Sequence, residues 1–431
     1  MESCSSALWH KKNRQKARAF RRISSFFIIF SITFTFLSIP SVRAQKVIET
    51  IQVEGASRMI MAPNGEYAYL AGSTYTMGAV HVMSPVDNTV TATIPLPNFY
   101  ASYTNVELQS TPSGIAITPD SKYLYVTNLK AEYSKAVYKI STATNELIAT
   151  INGLTFPSSV TITPNGEYAY IITTKFLTGE DSISVLDTAT DTIETKIMFS
   201  SGLRSVAITP NGEYAYVTSS SGHTVTVIDT ATNLITTTIT DINSPTGVAI
   251  APNGKYAYVA NCLTDSAYGF TSGEVLVIDT TTNTIEATIS NLSSPSAIAL
   301  SLNGAYAYVT NPSQGTISVI DIANRKVIST ITDVPTNAIT VMPNSKYVYA
   351  IGGGTVAVID TTLTTAIVSP SPSPPPSPTS TATATPTPTP MPTATPTPIP
   401  TPYEVPIMGL AFIVIVFLAG VGLLIYLIKR K

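Results

Sequence analysis

Seven imperfect copies of one strand-turn-strand unit, spaced in the forties and fifties and rich in β-branched residues, predict an all-β chain folded as a seven-bladed β-propeller of four-stranded antiparallel blades. The clearest copy is SVAITPNGEYAYVTSSSGHTVTVIDTATNLITTTI, residues 205–239. Its apolar run at Val206 and Ile208 stops at Pro210-Asn211-Gly212, where Pro presets φ and Asn-Gly tolerates positive φ. Tyr214-Ala215-Tyr216-Val217-Thr218 then suits a pleated strand. Residues 224–229 alternate polar and β-branched side chains, Asp229-Thr230-Ala231-Thr232-Asn233 turns the chain, and 234–239 runs back. One such meander cannot bury both of its faces alone, so the copies must pack on one another.

The other cores are MAPNGEYAYLA from Met61, ITPDSKYLYVTN from Ile117, ITPNGEYAYII from Ile162, IAPNGKYAYVAN from Ile250, LSLNGAYAYVTN from Leu300 and VMPNSKYVYAI from Val341. Third strands recur as VLDTAT at Val185, VIDTTT at Val277, VIDIAN at Val319 and VIDTTL at Val358, with looser versions at Val82 and Val137. With Pro63, Pro119, Pro164, Pro210, Pro252, Leu302 and Pro343 equivalent, successive copies lie 56, 45, 46, 42, 50 and 41 residues apart. The segment VIETI at 47–51 matches the fourth-strand pattern yet precedes the first complete unit. It is expected to become the outer strand of the seventh blade, beside residues 355–360, in preference to the short competitor at 364–368 that runs into proline. Inner strands place small residues such as Gly247 and Ala249 between Val248 and Ile250, which suits a crowded axial channel. Paired tyrosines, Tyr67 with Tyr69 and Tyr256 with Tyr258, fall on one face of a strand of period two and are expected to pack between blades.

The ends read as targeting and anchoring segments. Residues 1–44 combine a basic stretch, an apolar run of 14 residues at 26–39 and small residues Val42 and Ala44 around Arg43, a secretory signal with the mature chain starting at Gln45. Arg21-Arg22 also fits a twin-arginine signal, and the strongly apolar run favours the general secretory route. The propeller is expected over 45–368. Residues 369–404 form a Ser/Thr/Pro-rich stalk, with 14 prolines between 369 and 402, extended in polyproline II and suited to O-glycosylation. A transmembrane helix is expected over 405–428, where the uncharged run at 407–428 would span roughly 33 Å at about 1.5 Å per residue. The basic tail 429–431 then stays in the cytoplasm, with the propeller at the cell surface.

These residues resemble the YVTN β-propeller repeat family. Tyr-Val-Thr-Asn stands verbatim at Tyr125–Asn128 and again at Tyr308, Val309, Thr310 and Asn311, and the likeness covers roughly residues 46–368. Many members of that family are surface-layer-like proteins of methanogenic archaea, so the resemblance implies an envelope setting.

Charge excludes one class of partner. Over residues 45–403 there are 13 Lys and Arg against 24 Asp and Glu, a net −11, and no basic stripe for a nucleic-acid backbone. The two cysteines are Cys4, in the signal segment, and Cys262, so no intramolecular disulfide is expected in the mature chain. No His/Cys grouping has metal-ligand spacing, His81 and His223 lie three repeats apart, and no nucleophile elbow or Ser/His/Asp order appears, so catalytic, cofactor and metal residues are all expected to be none. The repeated Asp187, Asp229, Asp279, Asp321 and Asp360 are expected to form turns rather than to bind calcium.

Propeller connectivity puts the Pro-Asn-Gly and Asp-Thr turns on one, uniform rim. The second-to-third loops and blade connections form a variable rim, where a binding site is expected. Its candidate ligand residues are Tyr75, Phe99, Tyr100, Tyr103, Tyr133, Phe176, Tyr268 and Phe270, with Asn291 in the single N-glycosylation sequon of the mature chain. The expected function is a non-enzymatic envelope, adhesion or recognition module that engages envelope proteins or glycans. The alternative is a surface-tethered lactonase-like hydrolase with a carboxylate or metal site at the channel mouth.

Overall fold

The computed structural model describes residues 45–74, 77–100, 107–129, 137–175, 180–200, 202–264 and 271–362. The predicted signal, stalk, membrane span and basic tail lie outside them. Within the described residues no helix is long and apolar enough to cross a membrane.

Seven four-stranded antiparallel sheets form the blades, six of them in sequential strand order from the axis outward. Blades 1 to 6 occupy residues 56–95, 112–151, 157–199, 203–239, 245–292 and 298–331. Blade 7 is composite: Ala338–Val341, Tyr347–Gly352 and Thr355–Asp360 are completed by the N-terminal strand Lys46–Gln52. Lys46 stands opposite Asp360 and Gln52 opposite Thr355, so the expected N-terminal latch closes the ring.

The core is divided among the seven joints between neighbouring blades. At the joint of blades 4 and 5, Tyr216, Val225 and Val227 meet Val248, Ala257 and Val259. Ala215 and Val217, one residue to either side of Tyr216, pack instead on Ile183 and Val185 of blade 3. Strand period two thus sends alternate residues to opposite neighbours, and the middle strands are buried on both faces. The same pattern closes the circle, where Val53, Ala56 and Met59 pack against Tyr349, Ile351 and Val356.

The second tyrosine of each pair is the centre of each joint. Tyr69, Tyr125, Tyr170, Tyr216, Tyr258, Tyr308 and Tyr349 are at most 2% exposed. Of the first members, Tyr123, Tyr214 and Tyr347 are only partly buried at the edge of the same clusters, and Tyr67 is exposed. The buried hydroxyls reach the third-to-fourth turn of the next blade. Tyr170 donates to Asn233 Oδ1 at 2.6 Å, Tyr216 to Asn283 Oδ1 at 2.6 Å, and Tyr349 to Asn88 Oδ1 at 2.9 Å across the closure. These acceptors sit at the left-handed positions of their turns, with φ of 57°, 55° and 56°, which asparagine tolerates. In blade 2 the third strand carries Lys139 where the other blades have valine. Its ammonium pairs with Asp191 at 2.9 Å and lies 4.8 Å from the Tyr123 ring centre.

The uniform rim is built by its turns, as expected. Asp187 Oδ1 accepts from the backbone N–H of Ala189 and Thr190, both at 2.8 Å, and Asp279 Oδ1 from Thr281 at 2.8 Å. These bonds hold both carboxyls below the usual carboxylate range. The threonine that follows Asp187, Asp229 and Asp279 ties this turn to the Pro-Asn-Gly turn: Thr188 Oγ1 donates to Gly166 O at 2.6 Å, Thr280 Oγ1 to Gly254 O at 2.6 Å, and Thr230 Oγ1 to Gly212 O. Gly212 sits at φ 79°, where a side chain would be strained.

Two outcomes follow from the joints. Deleting residues 45–53 removes the outer strand of blade 7 and lowers Tm by roughly 10 °C or more; an unchanged melt would show that the ring closes without it. Burial raises the phenol pKa of Tyr69, Tyr170, Tyr216, Tyr308 and Tyr349 to about 12. The fold therefore favours the neutral form: this stability is complete below about pH 10 and is lost as pH rises toward 12. In an alkaline titration the buried phenols ionise together with loss of the β circular-dichroism signal; ionisation of every tyrosine near pH ~10 with the signal intact would refute the joints.

Candidate functional site

Every inner strand begins at the variable rim and runs toward the uniform one, so the first residues of the seven strands encircle the channel mouth. The inner strand of blade 4 shows the local geometry. Leu203 pairs with Ser219 and Ser205 with Thr218, which leaves Arg204 as an extra, bulged residue. Blades 1, 2, 3 and 5 break register at the same height. Taking the repeats as equivalent, the bulge position holds Ser57, Ser113, Ser158, Arg204, Thr246, Ser296 and Asn337. The position after it holds Arg58, Gly114, Ser159, Ser205, Gly247, Ala297 and Ala338.

Adjacent inner strands are drawn together here. Ser113 Oγ donates to Pro157 O of the next blade at 2.9 Å, and Thr246 Oγ1 to Pro295 O at 3.0 Å. Gly247 N donates to Ser296 O at 2.9 Å, and a Cβ on Gly247 would lie 2.4 Å from that oxygen, which explains the small residue. Arg58 belongs to the same seam: its Nε donates to Ser113 O at 2.8 Å and so straps blade 1 to blade 2. Burial lowers its pKa, which at arginine's ordinary value leaves it charged.

The result is a cavity of about 530 Å³ on the axis, lined by residues of all seven blades. Met59, Ile115, Val160, Val248 and Ile298 supply its apolar part, and serines, Asn337, Arg58 and Arg204 its polar part. The described lining carries no Asp or Glu. The volume lies within the roughly 300–1,000 Å³ of small-molecule sites.

Behind the mouth, the asparagine that ends the second strand holds the blade connection in blades 2 and 5, whereas Asn311 of blade 6 bonds to Thr316 and Ser318 of its own third strand. Asn128 Oδ1 accepts from Thr111 N at 2.8 Å while its amide donates to Ser110 Oγ and the Tyr138 hydroxyl, both at 3.3 Å. Asn261 Oδ1 likewise accepts from Ser244 N at 2.9 Å, and its amide donates to Glu274 at 2.9 Å. The Asn of these segments is thus a clamp on the variable-rim connections.

Of the rim residues expected from sequence, Tyr75, Tyr103, Tyr133, Phe176, Tyr268 and Phe270 lie outside the described residues. Phe99–Tyr100 form a short strand paired with Glu107–Leu108, so the connection between blades 1 and 2 contains its own hairpin. Asn291 is exposed, with φ 70°, in a register shift at the end of blade 5's outer strand rather than in the connection that follows. His81 lies in a third strand bonded to Thr93, His223 in a second-to-third turn bonded to Asn243 O, and no described group of three His, Cys, Asp or Glu is placed to hold a metal. Cys262 is free and half-buried, its thiol donating to Pro295 O at 3.2 Å, and burial raises its pKa.

Arg58 and Arg204 were not singled out from the sequence. The signal was there: aligning the repeats shows one arginine in each of two columns otherwise filled by Ser, Thr, Gly, Ala and Asn.

No family model matches the chain, and no curated protein matches it in sequence. In structure it is similar to a chain of Kuenenia stuttgartiensis hydrazine synthase, at 19% identity and TM-score 0.61, over 73% of this chain and 98% of that one. It is also similar to the β-propeller domain of Cps50 (Swd1) from Myceliophteria thermophila, at 10% identity and TM-score 0.55, over 74% of this chain and 100% of that one. At these identities the likeness shows the fold, a β-propeller, and nothing of its use.

Replacing Asn128 by Ala strands the N–H of Thr111 and is expected to cost about 2 kcal/mol in a urea melt. A loss below ~0.5 kcal/mol would mean that the clamp is dispensable.

Proposed function

We propose that the chain is a membrane-anchored surface protein whose propeller is a non-enzymatic recognition or adhesion module of the cell envelope, working through its variable rim. The observation that carries this reading is the contrast between the two rims. Every turn of one rim is bonded to its neighbours, while the other opens the channel through unlike loops and a polar mouth. A secretory signal, a proline-rich stalk and an apolar run before a basic tail support the surface setting. The resemblance to YVTN propellers of archaeal surface layers supports the same assignment. Envelope proteins or glycans are the partners that such a rim would meet.

The alternative, a lactonase-like hydrolase, needs carboxylates or a metal at the channel mouth. The described lining offers hydroxyls and guanidinium groups there, and the nearby Asp181 is spent on Leu203 N at 2.9 Å. The recognition reading is therefore preferred.

Protease treatment of intact cells is expected to release a propeller-sized fragment, and purified protein to leave lactones unhydrolysed with or without divalent metals. Full protection of the propeller would refute the surface setting; metal-dependent turnover would refute the non-enzymatic role.

A further inference from the structure

We propose that the variable-rim mouth of the axial channel binds an acidic sugar residue, with its carboxylate on Arg204 and its hydroxyls on the surrounding ring of serines and Asn337. The proposal rests on the mouth being a binding face and is independent of where the protein is anchored.

The first argument is the state of Arg204. Its Nε donates to Ser220 Oγ at 2.8 Å, which fixes the plane of the guanidinium. Its two terminal amines have no partner among the described residues, and the side chain is exposed to the cavity that it lines. A planar fork held by one edge and open on the other matches a carboxylate in bidentate geometry. Preorganisation by Ser220 reduces the ordering cost of binding.

The second argument is electrostatic. Arg58 stands three blades away around a seven-membered ring, so the two guanidinium groups occupy nearly opposite walls. Its Nε and one amine are fixed on Ser113 O and Ser57 O, so it acts as a stationary positive charge. Neither arginine pairs with a carboxylate among the described residues. Both stand in a propeller whose net charge is strongly negative. Two guanidinium groups that line a common cavity without a carboxylate partner favour an anion inside it.

The third argument fixes the class of anion. The side chains of Ser158, Ser159, Ser205, Ser296 and Asn337 line the same cavity and make no hydrogen bond to the described protein. They offer both donors and acceptors, which a ring of sugar hydroxyls can use in full. No described aromatic residue lines the cavity, which argues against a flat aromatic acid. The partly buried Ile115 and Ile298 give the wall an apolar element against which the C–H groups of a pyranose can lie.

The test is calorimetric titration of the full chain, purified in detergent, with glucuronate, glucose and inorganic sulfate at two ionic strengths. Glucuronate is expected to bind, more weakly at higher salt, and at least about 10-fold more tightly than either glucose or sulfate. Arg204→Gln should lower glucuronate affinity about 10-fold, and Arg204→Lys should restore only part of it, because lysine keeps the charge but not the fork. Arg204 lies outside the joints, so Arg204→Gln should keep the wild-type melting temperature, which separates loss of binding from loss of fold. Absence of glucuronate binding overturns the proposal. So does equal binding of glucose, or an Arg204→Gln protein that binds as well as the wild type. Sulfate binding as tight as glucuronate overturns the saccharide assignment. Cell-surface shaving is indifferent to all of these results, so the two readings fail separately.

Discussion

The buried tyrosine hydroxyl that reaches into the next blade's turn is the interaction on which the ring depends. Apolar packing alone would join two sheets at a range of offsets, because alternating Val, Ile and Ala side chains are nearly interchangeable along a strand. A phenol cannot be buried with its hydroxyl unbonded without cost, so Tyr170 and Tyr216 fit only where Asn233 and Asn283 present their side-chain oxygens. Each of these asparagines is held by a turn that needs positive φ, and each turn is anchored to the neighbouring Pro-Asn-Gly turn by a threonine hydroxyl. Register, blade angle and rim are therefore set by one linked group of polar atoms. Where the group is altered, the joint changes. Between blades 1 and 2, Asn145 Oδ1 is buried without a partner, and between blades 5 and 6 the left-handed turn position holds Arg325, paired with Glu286 at 2.7 Å.

This explains why one rim repeats and the other varies. The joint chemistry is concentrated at the end of the second strand nearest the Asp-Thr turn, so substitutions there disturb two blades at once. At the opposite end the chain needs only to pass from one blade to the next, with an asparagine clamp at Asn128 and Asn261. Residues at the head of each inner strand line the channel, and their side chains diverge: Ser113, Thr246 and Arg58 bond to the next blade, while Arg204 bonds within its own.

The sequence carried the architecture because its determinants are local and repeated. Pro-Asn-Gly, Asp-Thr and the paired tyrosines each report a turn or strand within a few residues, and their spacing counts the blades. Even the latch was legible, since VIETI repeats a pattern that has no complete unit before it. The inequality within the tyrosine pairs was not legible: Tyr214 and Tyr216 share a strand face, and only the position of the next blade decides that Tyr216 is enclosed. The channel was hidden for a different reason. A β-bulge adds a residue to one strand of a pair, so strict alternation misplaces Arg204 relative to Ser205, although Pro112, Pro157, Pro245 and Pro295 each stand just before the bulge position of their blades.

The distribution of charge follows from the same division of labour. Aspartates are useful at the uniform rim because a carboxylate there accepts two backbone N–H bonds, as Asp187 does, and stays ionised. Asp229, Asp279, Asp321 and Asp360 accept backbone N–H bonds in the same turn and are likewise held below the usual carboxylate range, and Asn-Glu pairs such as Asn165 with Glu167 at 2.8 Å lie beside them, which gives that rim a standing negative charge. On the variable side, Asp181 and Glu274 accept bonds from Leu203 N and the Asn261 amide, away from the channel lining. The described variable rim also carries Glu54, Glu180, Asp241 and Asp333, so the two guanidinium groups are a local positive site within an acidic protein rather than one pole of it. Such a site favours an anion in the channel mouth because no described carboxylate lines the cavity with it.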